Sequence, residues 1–272
     1  MSLVQTKKNS MRILFFGDIF GRPGRKGIAA KVKALREELD LDLIIANGEN
    51  ASQGIGLSIK NAQQLLDYGI DLLTSGNHIW KFSNIYSFLK TSDRIVRPAN
   101  LPEGTRGRGW TSFEVRGEVP VAVINLQGRV FMDPVECPFK CADKILQEID
   151  PEIKVILVDF HAEATSEKQS LGRYLDGRVS AMLGTHTHVQ TNDARIFENG
   201  TGYITDAGMC GPVESCLGLS PNPVIKRFVT GLPQKWKVAG GPIELQGVLL
   251  EIDEETGRTV SIETYNSGRM TV

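Results

Sequence analysis

Five short apolar runs in this chain each end on a side chain able to do chemistry, and four of those ends lie beside a glycine. Residues 11–16 run into Gly17-Asp18, and residues 43–46 into Asn47-Gly48-Glu49-Asn50. Residues 72–74 run into Ser75-Gly76-Asn77-His78, and residues 155–159 into Phe160-His161. Residues 179–183 run into Gly184-Thr185-His186-Thr187-His188. Runs of this length read as buried strands. A glycine at the strand end lets the backbone bend sharply and brings the next side chain over the sheet edge. If the strands are parallel neighbours, these residues converge on one crevice, where α/β sheets place their ligands.

Helical patterns fill the gaps between the runs. Ile28, Val32, Leu35 and Leu39 fall on one face of a helix over 24–39. Ser58 caps a helix that runs to Tyr68 and stops at Gly69. Further helices are expected over 82–89 and 139–149, and a short one between 159 and 179. A Pro-, Gly- and Arg-rich loop spans 97–109, followed by strands near 111–115 and 121–125. The last third turns to strands, at 195–197, 202–204, 247–252 and 259–265. Alternating β and α followed by more β predicts one layered α/β domain over residues 11–272. Residues 1–10 are expected to be a disordered or extraneous tail.

Composition narrows the function classes. Lys and Arg total 31 against 32 Asp and Glu, a net charge of −1, which excludes a generic polyanion binder. No apolar stretch approaches the ~18 residues of a membrane span, and no signal-peptide core is present, so a cytoplasmic enzyme is expected. Cys137, Cys141, Cys210 and Cys216 are too sparse for a secreted disulfide scaffold, and read as free thiols, two or more of them buried.

The four histidines of the chain, His78, His161, His186 and His188, all lie at these strand ends, with Asp18, Glu49 and Asn77. In an extended segment residues two apart face the same side, so His186 and His188 can reach one centre. Two carboxylates, amides and three imidazoles without a thiolate form a mixed O/N set that suits Mn, Fe or Zn. Six or seven ligands are too many for one tetrahedral zinc, but enough for two ions sharing a carboxylate. Such a pair clamps a phosphoryl centre. Competing signatures are missing: the glycines of 17–27 spell neither a dinucleotide fingerprint nor a Walker A loop, and there is no nucleophile elbow and no H-E-x-x-H.

These motifs resemble the calcineurin-like metallophosphoesterases. Gly76-Asn77-His78, the lone His161 and Gly184-Thr185-His186-Thr187-His188 match that family's pattern. Two departures, Phe20 in place of a histidine after Gly17-Asp18 and Glu49 in place of an aspartate, resemble its bacterial YmdB-type branch. So do 161–168, 184–191 and 203–209.

The resemblance implies a four-layer α/β/β/α sandwich. It also implies two divalent or mixed-valence transition-metal ions, iron or manganese, with zinc as an alternative. Glu49 would bridge them; Asp18, Asn50 and His188 would complete one site, and Asn77, His161 and His186 the other. A bridging hydroxide would attack a phosphodiester while His78, unligated, donates the proton. The branch implies 2′,3′- or 3′,5′-cyclic nucleotides as substrates. The alternatives are a phosphomonoesterase and a regulatory cyclic-nucleotide-binding protein with little turnover. A homo-oligomer is expected on general grounds. Glu163, Asp193 and Asp206 are candidates to orient the histidines. Arg94, Arg97, Arg106 and Arg108 read as a solvated basic loop, with phosphate or RNA as the functional alternative, and the Arg22–Lys26 cluster as an anion holder or surface charge.

Overall fold

The computed structural model describes residues 9–271. In chain order the elements are β1 (Ser10–Ile19), α1 (Gly21–Glu38), β2 (Leu43–Asn47), α2 (Ile59–Tyr68) and β3 (Leu72–Thr74). A 3₁₀ turn at Ile79–Lys81 and α3 (Ile85–Thr91) follow, then β4 (Trp110–Val115), β5 (Val119–Gln127), α4 (Pro138–Glu148) and β6 (Val155–His161). Next come α5 (Thr165–Tyr174), β7 (Ala181–Thr185), β8 (Arg195–Ile196), β9 (Gly202–Ile204) and β10 (Met209–Pro212). The chain closes with α6 (Pro221–Thr230), β11 (Ile243–Glu244), β12 (Gln246–Asp253) and β13 (Thr259–Asn266).

The strands form two sheets. In the first, β1, β2 and β3 are parallel neighbours, and the other edge of β1 pairs antiparallel with β12, which continues to β13. Past Phe16 that same edge pairs parallel with β10 instead, at Asp18 and Ile19. The second sheet runs β4-β5-β6-β7-β9-β8, its four central strands parallel and its two edge strands antiparallel.

Alternation along the strands builds three cores. Ile13, Phe15, Leu43 and Ile45 face inward against Val121, Val123, Leu157 and Leu183 of the second sheet. Leu14, Phe16, Ile44 and Ala46 face outward, onto Ile28, Val32 and Leu35 of α1 and Leu65 of α2. Ile124, Ile156 and Val158 carry Ala142 and Ile145 of α4, Leu171 of α5 and Leu175 just after it. The order of layers is therefore α/β/β/α in one domain, as expected. Ser58 Oγ accepts from Asn61 N, and Gly69 closes α2 in the left-handed conformation.

Some expectations need correction. Residues 1–8 of the expected tail lie outside the described residues, but Ser10 already belongs to β1: it pairs with Asp253, and its Oγ donates to Glu251 Oε1 at 2.7 Å. The helix expected over 82–89 is α3, which starts later, at Ile85, and runs on to Thr91; the 3₁₀ turn at Ile79–Lys81 precedes it. The strand expected over 179–183 starts at Ala181 and runs on to Thr185, because its register against β6 begins at Leu157↔Ala181. Of the four free thiols only Cys210 is buried; Cys137, Cys141 and Cys216 are half-buried.

Candidate metal centre

The five strand ends meet at the rim shared by the two sheets of the sandwich. β1, β2 and β3 bring Asp18, Glu49, Asn50, Asn77 and His78; β6 and β7 bring His161, His186 and His188. Both sheets end at the same rim, and all eight side chains expected at the site gather there.

The centre of the cluster is His161 Nε2. It lies 3.2 Å from Glu49 Oε2, 3.1 Å from Asn77 Oδ1 and 3.0 Å from His186 Nδ1. One ring nitrogen carries at most one proton and cannot satisfy three such neighbours as hydrogen bonds. Asp18 Oδ1 is buried with no hydrogen-bond partner among the described residues, while its Oδ2 accepts from His186 N at 3.0 Å. Buried polar atoms are rarely left unpaired without a cause. A Cβ on Gly76 would collide with Glu49 Oε2 and with the His161 ring, so only glycine leaves this space open. Convergent O and N donors, an unsatisfied buried carboxylate oxygen and a cavity kept free of side chain all fit bound metal cations.

Each histidine of the cluster is fixed through its outer nitrogen. His161 Nδ1 faces Thr185 Oγ1 at 2.9 Å, His186 Nε2 faces Glu163 Oε2 at 3.2 Å, and His188 Nδ1 donates to Leu217 O at 3.1 Å. The inner nitrogens are left for the centre, the arrangement that sets ring orientation and tautomer in metal sites. His188 Nε2 lies 3.7 Å from Asp18 Oδ1 and 3.1 Å from Asn50 Nδ2. Asn50 presents its amide nitrogen to Glu49 Oε1 and His188, and its oxygen to His78 Nδ1 at 2.9 Å. Ligation through the Asn50 oxygen requires this amide to turn over.

His78 stands at the edge of the group. Its backbone N donates to Glu49 Oε2, and Nδ1 lies 3.1 Å from Glu49 Oε1. Its side chain is 28% exposed and Nε2 has no partner among the described residues, so that nitrogen is open to a ligand.

Electrostatics follow from the same crowding. Burial alone would raise the Glu49 carboxyl, but the charge and hydrogen bonds of His161 and His78 outweigh it and hold it well below the usual range. Burial likewise opposes ionisation of Asp18, and His188 overrides it. His161 is pulled up to about 9 by Glu49 and Asp18 against its burial, while desolvation and the neighbouring His161 push the half-buried His186 down to about 3.

Some of the framework was not singled out in the sequence. Asp159 Oδ1 accepts from Thr185 Oγ1 at 2.7 Å and Oδ2 from Asn47 Nδ2 at 3.0 Å, so a buried chain runs from Asp159 through Thr185 to His161. Burial pushes the Asp159 carboxyl up to about 6. Its signal was position: it lies two residues before His161 on one strand, and so on the same face. Of the three carboxylates considered for the histidines, Glu163 lies against one of them, His186. Asp193 and Asp206 do not touch the histidine rings; Asp193 binds Thr191 and Thr205, and Asp206 holds Thr187 and Lys168.

The basic loop is not solvated throughout. The Arg97 guanidinium donates to the carbonyls of Pro98, Ala99, Thr105 and Arg106, and Arg94 donates to Asp71 O and Ile70 O. Arg22, Arg25 and Lys26 line a separate cleft with Gln64 and Tyr68, and Arg25 donates to Ala51 O.

A model of the YmdB-like proteins matches residues 14–265. The chain belongs to the YmdB-like family. Among its YmdB-like relatives, a 2′,3′-cyclic-nucleotide 2′-phosphodiesterase of Bacillus subtilis (strain 168) is 48% identical over 93% of this chain and 96% of its own length. A crystal structure of a novel phosphatase from Mycoplasma pneumoniae superposes with a TM-score of 0.91 at 34% identity, covering 96% of this chain and 94% of that one. A hypothetical protein of Thermus thermophilus superposes at 0.88 with 42% identity, covering 94% of this chain and 98% of that one.

Proposed function

We propose that this chain is a metal-dependent phosphodiesterase that hydrolyses cyclic nucleotides, with 2′,3′-cyclic monophosphates first among them. The observation that carries the reading is the open His78 Nε2 beside the convergent donors of Glu49, Asn77, His161 and His186 and the unsatisfied Asp18 Oδ1. The name of the Bacillus subtilis relative supports the substrate class.

Glu49, Asp18, Asn50 and His188 would hold one cation, and Glu49, Asn77, His161 and His186 the second. Mixed carboxylate, amide and imidazole donors favour iron or manganese, with zinc also compatible. Bound, the pair acidifies a water for attack on phosphorus and offsets charge on the phosphoryl oxygens. The protein's own part is orientation and proton delivery. Glu163, Thr185 and the Leu217 carbonyl aim the three histidines. His78, anchored through Nδ1 by Glu49, gives the proton at Nε2 to the ribose oxygen as its bond to phosphorus breaks. An imidazole suits that step near neutral pH. The product is a nucleoside monophosphate. Among the described residues no helix is long and apolar enough to cross a membrane.

The decisive experiment is His78→Ala. It is expected to keep the metal content of the parent protein while the rate falls by about 10²–10⁴. Loss of metal would make His78 a ligand and overturn this division of labour. The Mycoplasma pneumoniae phosphatase favours a second reading, a phosphomonoesterase. Rates on 2′,3′-cyclic AMP and p-nitrophenyl phosphate, compared on one preparation, separate the two.

A further inference from the structure

Beside the centre lies a second space with a different lining. A cavity of about 200 Å³ is lined by His188 together with Val189, Met209, Val213 and Leu217, and by the polar side chains of Glu244 and Gln246. It is smaller than the ~300–1,000 Å³ that encloses a whole drug-sized ligand, so it suits one part of a larger molecule. His188 belongs both to this wall and to the metal cluster, so whatever occupies the cavity is contiguous with a group held at the centre.

The apolar and the polar lining define the occupant. Aliphatic side chains and a methionine thioether pack well against the faces of a flat aromatic ring. Gln246 accepts from Met209 N through Oε1, which fixes its amide, and its Nε2 donor group has no hydrogen bond among the described residues. Glu244 supplies a carboxylate, held by Asn266 Nδ2 at 3.3 Å and with Arg269 Nε at 3.9 Å. One acceptor beside one donor matches the edge of a nucleobase, where an N–H lies next to a ring nitrogen or carbonyl oxygen.

We infer that this cavity is the nucleobase subsite of the enzyme, with Val213 and Glu244 setting affinity for the base and no part in the bond-breaking step. The inference rests on the cyclic-nucleotide reading given above. It explains how a site built around phosphate alone distinguishes a nucleotide from any other phosphodiester.

The test uses two cyclic phosphates with the same reacting ring, 2′,3′-cyclic AMP and base-free glycerol 1,2-cyclic phosphate, and two variants of the metal-loaded protein. Val213→Trp fills the cavity and Glu244→Ala removes its acceptor. Each is expected to raise KM for 2′,3′-cyclic AMP about tenfold with kcat within about twofold, and to leave glycerol cyclic phosphate unaffected. Equal effects on both substrates, or an effect on neither, overturn the subsite. If the unmodified protein hydrolyses neither compound, the phosphodiesterase reading fails instead. The cavity is then judged by calorimetric binding of adenosine 3′-monophosphate. Binding that weakens about tenfold in Val213→Trp supports the subsite, and binding that is absent or unchanged overturns it.

Discussion

Lys168 and Asp206 form an ion pair at 2.8 Å in which neither side chain has any exposure to solvent. Lys168 Nζ also donates to Thr185 O at 2.8 Å, and Asp206 Oδ2 accepts from the backbone N and the hydroxyl of Thr187. The pair therefore grips the chain on both sides of His186. That grip is needed, because His186 and His188 have φ of 102° and 63°, in the left-handed region that non-glycine residues avoid. Each such residue costs about 1–3 kcal/mol and persists only where surrounding structure enforces it.

Lys168→Met should be strongly destabilising. It leaves the Asp206 carboxylate buried without its partner, a loss of about 3–5 kcal/mol. Lys168→Met combined with Asp206→Asn removes the uncompensated charge and should recover most of that loss. Urea unfolding midpoints of the two single variants and the double variant measure it. Metal content measured on the same samples should fall in Lys168→Met, because Thr185–Thr187 loses its anchor.

Gly76→Ala tests the open space at the centre. The new methyl would overlap Glu49 Oε2 and the His161 ring, and both must move. The sheets and their cores are untouched, so the circular dichroism spectrum and cooperative unfolding should persist. A displacement of about 1 Å in a reacting constellation is enough to cost about 10² in rate. The expected outcome is a folded protein with a loss of kcat/KM of that size or greater and reduced metal content. Full activity in this variant would contradict a centre in this space.

How far the sequence carried differs from element to element. The strand ends were legible because a buried run of Ile, Leu and Val is seldom followed at once by glycine and then Asp, Glu, Asn or His unless those polar groups are used together. Ser58 and Gly69 marked α2 through local capping chemistry, which needs no knowledge of the rest of the chain. β10 was missed because Met-Cys-Gly-Pro has no alternation, and its place is set by Asp18 and Ile19, about 190 residues earlier. α6 was missed for the opposite reason. It buries no residue, and Phe228 and Val229 are 84% and 78% exposed, so there is no inward face for a periodic pattern to report. Periodicity alone did not assign each strand to its sheet, because parallel strands read alike whichever sheet they join; the two-sheet sandwich followed from the resemblance of the motifs. The links Asp159–Thr185–His161 and Lys168–Asp206 depend on pairs far apart in the chain, and a single sequence does not pair them.

Removal of metal should cost stability as well as activity. The carboxylates of Asp18 and Glu49 converge with the imidazoles around a space that the folded chain alone leaves unsatisfied, and the unfolded chain has no such site. A ligand that binds only the folded state stabilises it by about 2.7 kcal/mol at a free concentration 100 times Kd. For a chain of this size each kcal/mol corresponds to about 2–4 °C. Chelation followed by gel filtration should therefore lower the midpoint of thermal unfolding by roughly 5–10 °C. Manganese or iron should restore it, whereas calcium, which prefers an all-oxygen shell, should not. A midpoint indifferent to chelation would mean that the cluster holds no resident ion.

The buried thiol of Cys210 sets an alkaline limit on stability. Burial raises its pKa well above the ordinary thiol value near 9, and the protonated Sγ donates to Gln246 O at 3.3 Å. A group whose folded pKa is raised contributes its stability fully below the unfolded pKa and loses it as pH climbs toward the folded value. Below about pH 9 the thiol is neutral in both states and nothing changes. Above it, the unfolded chain releases a proton that the folded chain keeps, so stability should fall by about 1.4 kcal/mol for each pH unit from this group alone. Urea unfolding at pH 8, 9, 10 and 10.5 measures the slope, and Cys210→Ala should flatten it by about that amount relative to the parent protein. The same burial should leave Cys210 unreactive toward a thiol reagent at pH 8 until the protein is unfolded. If Cys210→Ala leaves the alkaline slope unchanged, the thiol ionises as readily in the folded protein as in the unfolded chain.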